Sequence, residues 1–186
     1  TNAVDLDGLP RILFGTVDMG SHEAAYAFSY GPAAFTNTVM RGCATNMIVS
    51  LSNAIPEIPL CWGTTITSSW VSCPAGGDPV PASGSSALTL TNSSLGLSPG
   101  TYVSRMIVSA LTNYPLAMEG YSQTGAVDMV LHVAEFARNP TQVTATVRQF
   151  ANTNRTLTIW NSGSGDIPYT LYTNTSWLAA EPSSGV

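Results

Sequence analysis

Side chains able to do chemistry are sparse in this sequence, and their spacing limits what they can do. His22 and Glu23 put a base beside a carboxylate, yet neighbours along a strand point to opposite faces and cannot share one proton. A hydrolase needs paired carboxylates, or a nucleophile with a base and an orienter, converging from separate elements, and no such set stands out. No catalytic residue, no enzymatic activity and no cofactor are therefore expected. Asp5-Leu6-Asp7-Gly8 starts like a calcium loop, but no further Asp or Glu follows at the intervals such a loop uses. Cys43, Cys61 and Cys73 lack a paired Cys-x-x-Cys, and neither His22 nor His132 stands at a ligand-like interval, so no metal site is expected. In an oxidising compartment two of the three cysteines would pair and leave one thiol over, with the pairing open.

Aromatic residues are the better lead, because sugar rings stack on flat exposed Trp and Tyr faces. Trp160 alternates out of phase with Leu157 and Ile159, and Tyr172 out of phase with Tyr169 and Leu171. Both rings are expected to face away from the core, as a sugar platform or as a contact surface for a neighbouring domain or subunit.

The elements that must position these residues read as strands. In 101–110, Tyr102, Met106, Val108 and Ala110 alternate with Val103, Arg105, Ile107 and Ser109; in 126–133, Val127, Met129, Leu131 and Val133 alternate with Asp128, Val130 and His132. Tyr102 falls in the inward register. Further strands are expected at 12–17, 25–30, 47–52, 58–67, 69–72, 87–91, 142–147, 156–161 and 168–172. Helical periodicity is nearly absent. Many short strands parted by Gly, Pro, Asn and Ser predict an all-β fold of immunoglobulin-like antiparallel sandwiches.

Composition sets the surroundings. The sequence has 186 residues and a net charge of −5, and its six basic residues are all Arg, which leaves no cationic surface for nucleic acid. No apolar run approaches the roughly 20 residues of a bilayer span, so this segment is not expected to insert in a membrane. Ser, Thr and Asn together fill 54 positions, a hydroxyl- and amide-rich surface of extracellular or cell-surface style. Three sequons, at Asn92, Asn154 and Asn174, are compatible with glycosylation.

Laid on itself at an offset of about 108 residues, the sequence repeats. Asn53 after its apolar strand matches Asn161, Ile58-Pro59-Leu60 matches Ile167-Pro168-Tyr169, and Ser69-Trp70 through Pro74 matches Ser176-Trp177 through Pro182 with one gap. Trp70 and Trp177, at equivalent places, are expected to pack in the cores. The break falls near 135–140, giving one domain at 1–136, with 22–46 as a candidate insertion, and the first half of a second at 137–186.

The run from Asn161-Ser-Gly-Ser-Gly165 through Ser176-Trp177-Leu178 to Pro182-Ser-Ser-Gly185 resembles the BACON type of bacterial immunoglobulin-like domain, and Leu97-Ser-Pro-Gly-Thr-Tyr102 resembles that domain's continuation. The resemblance implies β-sandwich repeats and an association with carbohydrate-active proteins. The second copy stops after its Trp motif, so about half a sandwich is expected to be missing. Two readings stay open: a piece of a longer multidomain protein, or a subunit of a filament whose neighbour donates strands. Residues 1–9 are one candidate donor. The expected function is a non-catalytic structural or adhesive building block of a surface appendage that contacts itself or neighbouring domains. The alternative is a carbohydrate-binding or spacer module of a secreted glycan-processing protein.

Overall fold

The computed structural model describes residues 12–13, 16–17, 28–54, 59–111 and 122–186. The 1–9 segment, Asp5 to Gly8 and the His22-Glu23 pair lie outside the described residues. Every assigned element is a strand. β1 (Ile12–Leu13) pairs antiparallel with β2 (Thr16–Val17). Then come β3 (Phe28–Gly31), β4 (Ala34–Met40), β5 (Ala44–Asn53), β6 (Cys61–Ile66), β7 (Val71–Ser72), β8 (Ser85–Ser93), β9 (Gly100–Leu111) and β10 (Ser122–Ala134). These build two four-stranded sheets, ordered β3-β5-β8-β7 and β4-β10-β9-β6. With the strands from β3 to β10 lettered A, A′, B, C, D, E, F and G, the two sheets read A-B-E-D and A′-G-F-C, the arrangement of an immunoglobulin-like sandwich.

The alternation read from the sequence decides which faces are buried. Val49 and Leu51 on β5, Leu88 and Leu90 on β8, Met106 and Val108 on β9 and Val127 and Met129 on β10 are all inward and almost fully buried. Each such side chain contributes about 1.5–3 kcal/mol by leaving water. The outward faces mix exposed aliphatics such as Ile48 and Val103 with charged residues such as Arg105 and Asp128, whose side chains pair across β9 and β10 at 2.6 Å.

Residues 28–40, expected as part of a candidate insertion, instead form β3 and β4. The backbone changes sheet between them, at Gly31-Pro32-Ala33, because Pro32 has no N–H to continue the ladder. Beyond β10 follow β11 (Phe136–Asn139), β12 (Thr158–Asn161), β13 (Tyr169–Thr170) and β14 (Ser184–Gly185), paired β11 with β12 and β13 with β14. The strand expected at 142–147 is not assigned, since no strand lies beside it among the described residues to complete a ladder.

Contacts cluster into two units. One holds residues 1–35, 45–92 and 103–129; the other holds 36–44, 93–102 and 130–186. The first is built on the buried aliphatics named above together with Leu60, Trp70, Val71 and Val80. Its polar centre is Asn53, whose N–H donates to Gly84 O at 2.8 Å and whose Nδ2 donates to Pro81 O at 3.1 Å. In the second unit Val39, Leu131, Val133 and Ala134 are buried, and the buried Ser94 hydroxyl meets Met40 O at 2.8 Å and Cys43 O at 2.9 Å. That hydroxyl adds to the backbone bonds of the same turn, Cys43 N–H to Met40 O at 3.0 Å and Ser94 N–H to Cys43 O at 2.9 Å.

Candidate functional site

Among the described residues no three His, Cys, Asp or Glu side chains gather as a metal site would need. What the fold does build is a second start of the same sandwich. β3 pairs with β5 as Phe28↔Asn53, Ser29↔Ser52, Tyr30↔Leu51 and Gly31↔Ser50. β11 pairs with β12 as Phe136↔Asn161, Ala137↔Trp160, Arg138↔Ile159 and Asn139↔Thr158. Every partner is shifted by 108 residues, as Phe28 is to Phe136 and Asn53 to Asn161. The turn between β4 and β5 has a counterpart at 148–151. Cys43 N–H donates to Met40 O at 3.0 Å and Ala151 N–H to Arg148 O at 3.0 Å, with positive φ at Gly42 and at Phe150. An aromatic ring covers a glycine in both copies, Trp62 over Gly77 and Tyr169 over Gly185.

The junction at Glu135 is held from every side. Its N–H donates to Asn161 Oδ1 at 3.2 Å; its carbonyl accepts from Ser162 N–H at 2.8 Å and from the Ser162 hydroxyl at 3.2 Å; its carboxylate accepts from Arg41 Nη1 at 2.9 Å. The Asn161-Ser-Gly-Ser-Gly165 loop then lies on β10, with Ser164 N–H donating to Val133 O at 3.2 Å. Gly163 has no room for a side chain, because a Cβ there would meet Val133 O and Pro99. Gly165 is confined likewise by Thr38 and His132. Beside this loop an apolar pocket of about 290 Å³ is lined by Thr38, Val39, Met40, Ala134, Asp166, Ile167 and Pro168.

The sequence-derived site residues fare differently. Trp70 is buried, at 7% exposure, but Trp177, expected in a core, is 82% exposed. The strands that cover Trp70 in its sandwich have no counterpart over Trp177 among the described residues. Tyr102 is half-buried, and its hydroxyl donates to Ser98 O at 2.9 Å, forming the tyrosine corner that closes the approach to strand F in immunoglobulin folds. The turn Leu97-Ser98-Pro99-Gly100 just before it was the available signal. Trp160, at 47%, and Tyr172, at 90%, do face solvent. Trp160 stands on β12 opposite Ala137, and Tyr172 lies just past β13. Asn92 is wholly buried in β8 with Nδ2 3.5 Å from Met47 Sδ, so it does not present a glycan acceptor; Asn154 and Asn174 are exposed.

The disulfide expected among the cysteines is absent: Cys43 is an exposed free thiol in the β4–β5 turn, and Cys73, also a free thiol, has its sulfur 3.1 Å from the Thr64 hydroxyl. Each of these thiols is held where its own turn or strand end puts it. Cys61 is half-buried on β6.

The two sheets, their strand order and the tyrosine corner define an immunoglobulin-like β-sandwich protein. The protein is similar to the ASH/PapD-like domain of human CEP192, at 14% identity and a TM-score of 0.52, covering 64% of this chain and 94% of that one. It is also similar to a protein of unknown function from Porphyromonas gingivalis (16% identity, TM-score 0.49, 64% of this chain and 51% of that one) and to the Escherichia coli chaperone DraB (9%, 0.43, 57% and 55%). No protein-family model matches the sequence, and no curated protein sequence matches it. Among the described residues no helix is long and apolar enough to cross a membrane.

Proposed function

We propose that this protein is a non-catalytic structural β-sandwich protein of the cell exterior, in which immunoglobulin-like repeats follow one another through stiff joints as the building block of a surface appendage or filament. The observation that carries this reading is the fourfold grip on Glu135, through its N–H, its carbonyl and its carboxylate. A one-residue connector with every polar group engaged, beside two glycines packed too closely for a Cβ, transmits orientation instead of swivelling. The low-charge, hydroxyl-rich surface suits the same setting, and the BACON-type resemblance of residues 161–185 belongs with this reading. Small-angle scattering of the purified protein, with electron imaging of undenatured material, tests it. One narrow family of scattering shapes together with ordered self-association supports the proposal, and a broad distribution of joint angles sinks it.

Solvent-facing Trp160 and Tyr172 favour a second reading, a carbohydrate-binding or spacer module. Loss of glycan retention in Trp160→Ala and Tyr172→Ala, with the fold intact, would support that alternative; retention unchanged in both removes it.

A further inference from the structure

The sequence holds one Asp-Pro bond, Asp78–Pro79, and the fold clamps the loop that carries it against β6, an edge strand of its sheet. On one side Gly63 bridges Gly76, and Thr64 N–H donates to Ala75 O at 3.0 Å. On the other, Leu60 and Val80 exchange both backbone bonds, at 2.9 and 2.8 Å. Between these anchors the Trp62 ring covers Gly77, where a Cβ would stand 3.1 Å from the ring, and its Nε1–H donates to Asp78 O at 3.0 Å. Val80 is fully buried, while Asp78 and Pro79 are exposed to water. The carbonyl that accepts the indole N–H is the carbonyl of the Asp78–Pro79 peptide bond. An aspartyl side chain reaches its own main-chain carbonyl carbon through a five-membered ring, an attack that needs no encounter with a second molecule. A donor already aimed at the oxygen stabilises the charge that collects there as the carbon becomes tetrahedral. Proline makes the amide tertiary, and a tertiary amide nitrogen takes up a proton more readily than a secondary one.

We propose that Asp78–Pro79 is a self-cleavage site: in mild acid the Asp78 carboxyl cuts its own peptide bond while Trp62 Nε1–H holds the scissile carbonyl. The Asp78 side-chain oxygen bonds to the Asp78 carbonyl carbon, and a cyclic anhydride forms as the C–N bond to Pro79 breaks. The bonding pair stays on the Pro79 nitrogen, which takes the carboxyl proton and departs as a secondary amine. Water then opens the anhydride, so the sum is hydrolysis of one peptide bond into residues 1–78 and 79–186, a single turnover on the protein's own chain. β6 and residues 73–80 carry the thiols of Cys61 and Cys73 and no charged side chain besides Asp78. The Leu60 and Val80 bonds, the pairing of β7 with β8 and the pairing of β6 with β9 all join the two pieces, so the product is a sandwich of two chains. This step goes beyond the structural-repeat reading and does not rest on it.

The test holds the 186-residue protein at about pH 4, where ordinary Asp carboxyls exchange their proton, and follows intact mass and the new amino terminus with time. A piece beginning at Pro79 is expected, forming about tenfold or more faster than from a synthetic peptide of residues 74–83, which has the same bond but no Trp62. Trp62→Phe keeps a ring over Gly77 and deletes the donor, and is expected to slow cleavage about tenfold. Asp78→Ala, at an exposed position, is expected to fold normally and to stay whole. Circular dichroism at the same pH checks that each variant keeps its strands. No cut at Asp78–Pro79, or a cut that persists in Asp78→Ala, overturns the proposal. So does a Trp62→Phe rate equal to the parent's or a peptide rate that matches the protein's, since either leaves the ordinary acid lability of an Asp-Pro bond as the whole effect.

Discussion

Asn161 Oδ1 accepts the N–H of Glu135 at 3.2 Å and the N–H of Gly163 at 2.9 Å, so one amide oxygen ties the connector to the loop that lies on β10. Its Nδ2 closes the other end of the loop on Gly165 O. Asn161→Ala removes all three bonds from a partly buried setting and is expected to destabilise residues 136–186 by about 1–3 kcal/mol. Denaturation followed by hydrogen exchange should show those residues opening earlier while β5, β8 and β9 keep their protection. A single unchanged transition would deny the joint its role.

Gly163→Ala attacks the same contact by bulk instead of by bonding. The new Cβ cannot coexist with Val133 O and Pro99, so the loop must lift from β10 and surrender the Ser164-to-Val133 bond. Small-angle scattering should report a wider spread of shapes than for the parent protein. An identical profile would mean that the joint is held elsewhere.

The strands were legible wherever one face is buried and the other wet, because period-two alternation then has a single solution; Met106, Val108, Val127 and Met129 are cases in point. Asn92 shows an overlooked use of that rule: Leu88 and Leu90 already place residue 92 on the inward side of β8, which argues against a sequon acceptor. The start of the repeat was harder to see. Between Phe28-Ser-Tyr-Gly-Pro32 and Phe136-Ala-Arg-Asn-Pro140 only the first and last residue types agree, and backbone pairing, which is indifferent to the side chains between, carries the equivalence. Trp177 failed for another reason. Its sequence context gives its place in the repeat, but burial depends on covering strands that a local motif does not encode.

The tyrosine corner sets a modest and measurable energy. Tyr102→Phe keeps the ring and deletes the bond to Ser98 O, so a loss of about 0.5–1.5 kcal/mol is expected in chemical denaturation. A loss near zero would mean that water replaces the phenol at no cost at this half-exposed site.

Acid should weaken one surface pair in a defined direction. Asp128 lies below its ordinary carboxylate pKa, chiefly through the hydrogen bond from Arg105, with burial opposing and the guanidinium charge adding to it. A depressed folded-state pKa gives stability that is present above the unfolded value of about 4 and is lost as pH falls through the lower folded value. Both side chains are more than half exposed, so solvent screens the pair and the effect is small. Asp128→Asn should melt below the parent at neutral pH, and the gap should close in strong acid. A gap that persists in acid would trace the loss to packing rather than charge.

The paired turns offer a substitution that should gain stability. Gly42 and Phe150 occupy equivalent turns with φ of 82° and 63°, a conformation that costs an L side chain about 1–2 kcal/mol and glycine little. Phe150 stands in solvent at 97% exposure, so its ring returns almost no burial energy in the isolated protein. Phe150→Gly is therefore expected to raise the stability of residues 136–186 by up to about 1 kcal/mol, and Gly42→Ala to lower that of the first copy by about 1 kcal/mol. Thermal melts of the two variants measure both signs. If Phe150→Gly is destabilising, the exposed ring must be packing against something in solution, and the turn would then be part of a contact surface.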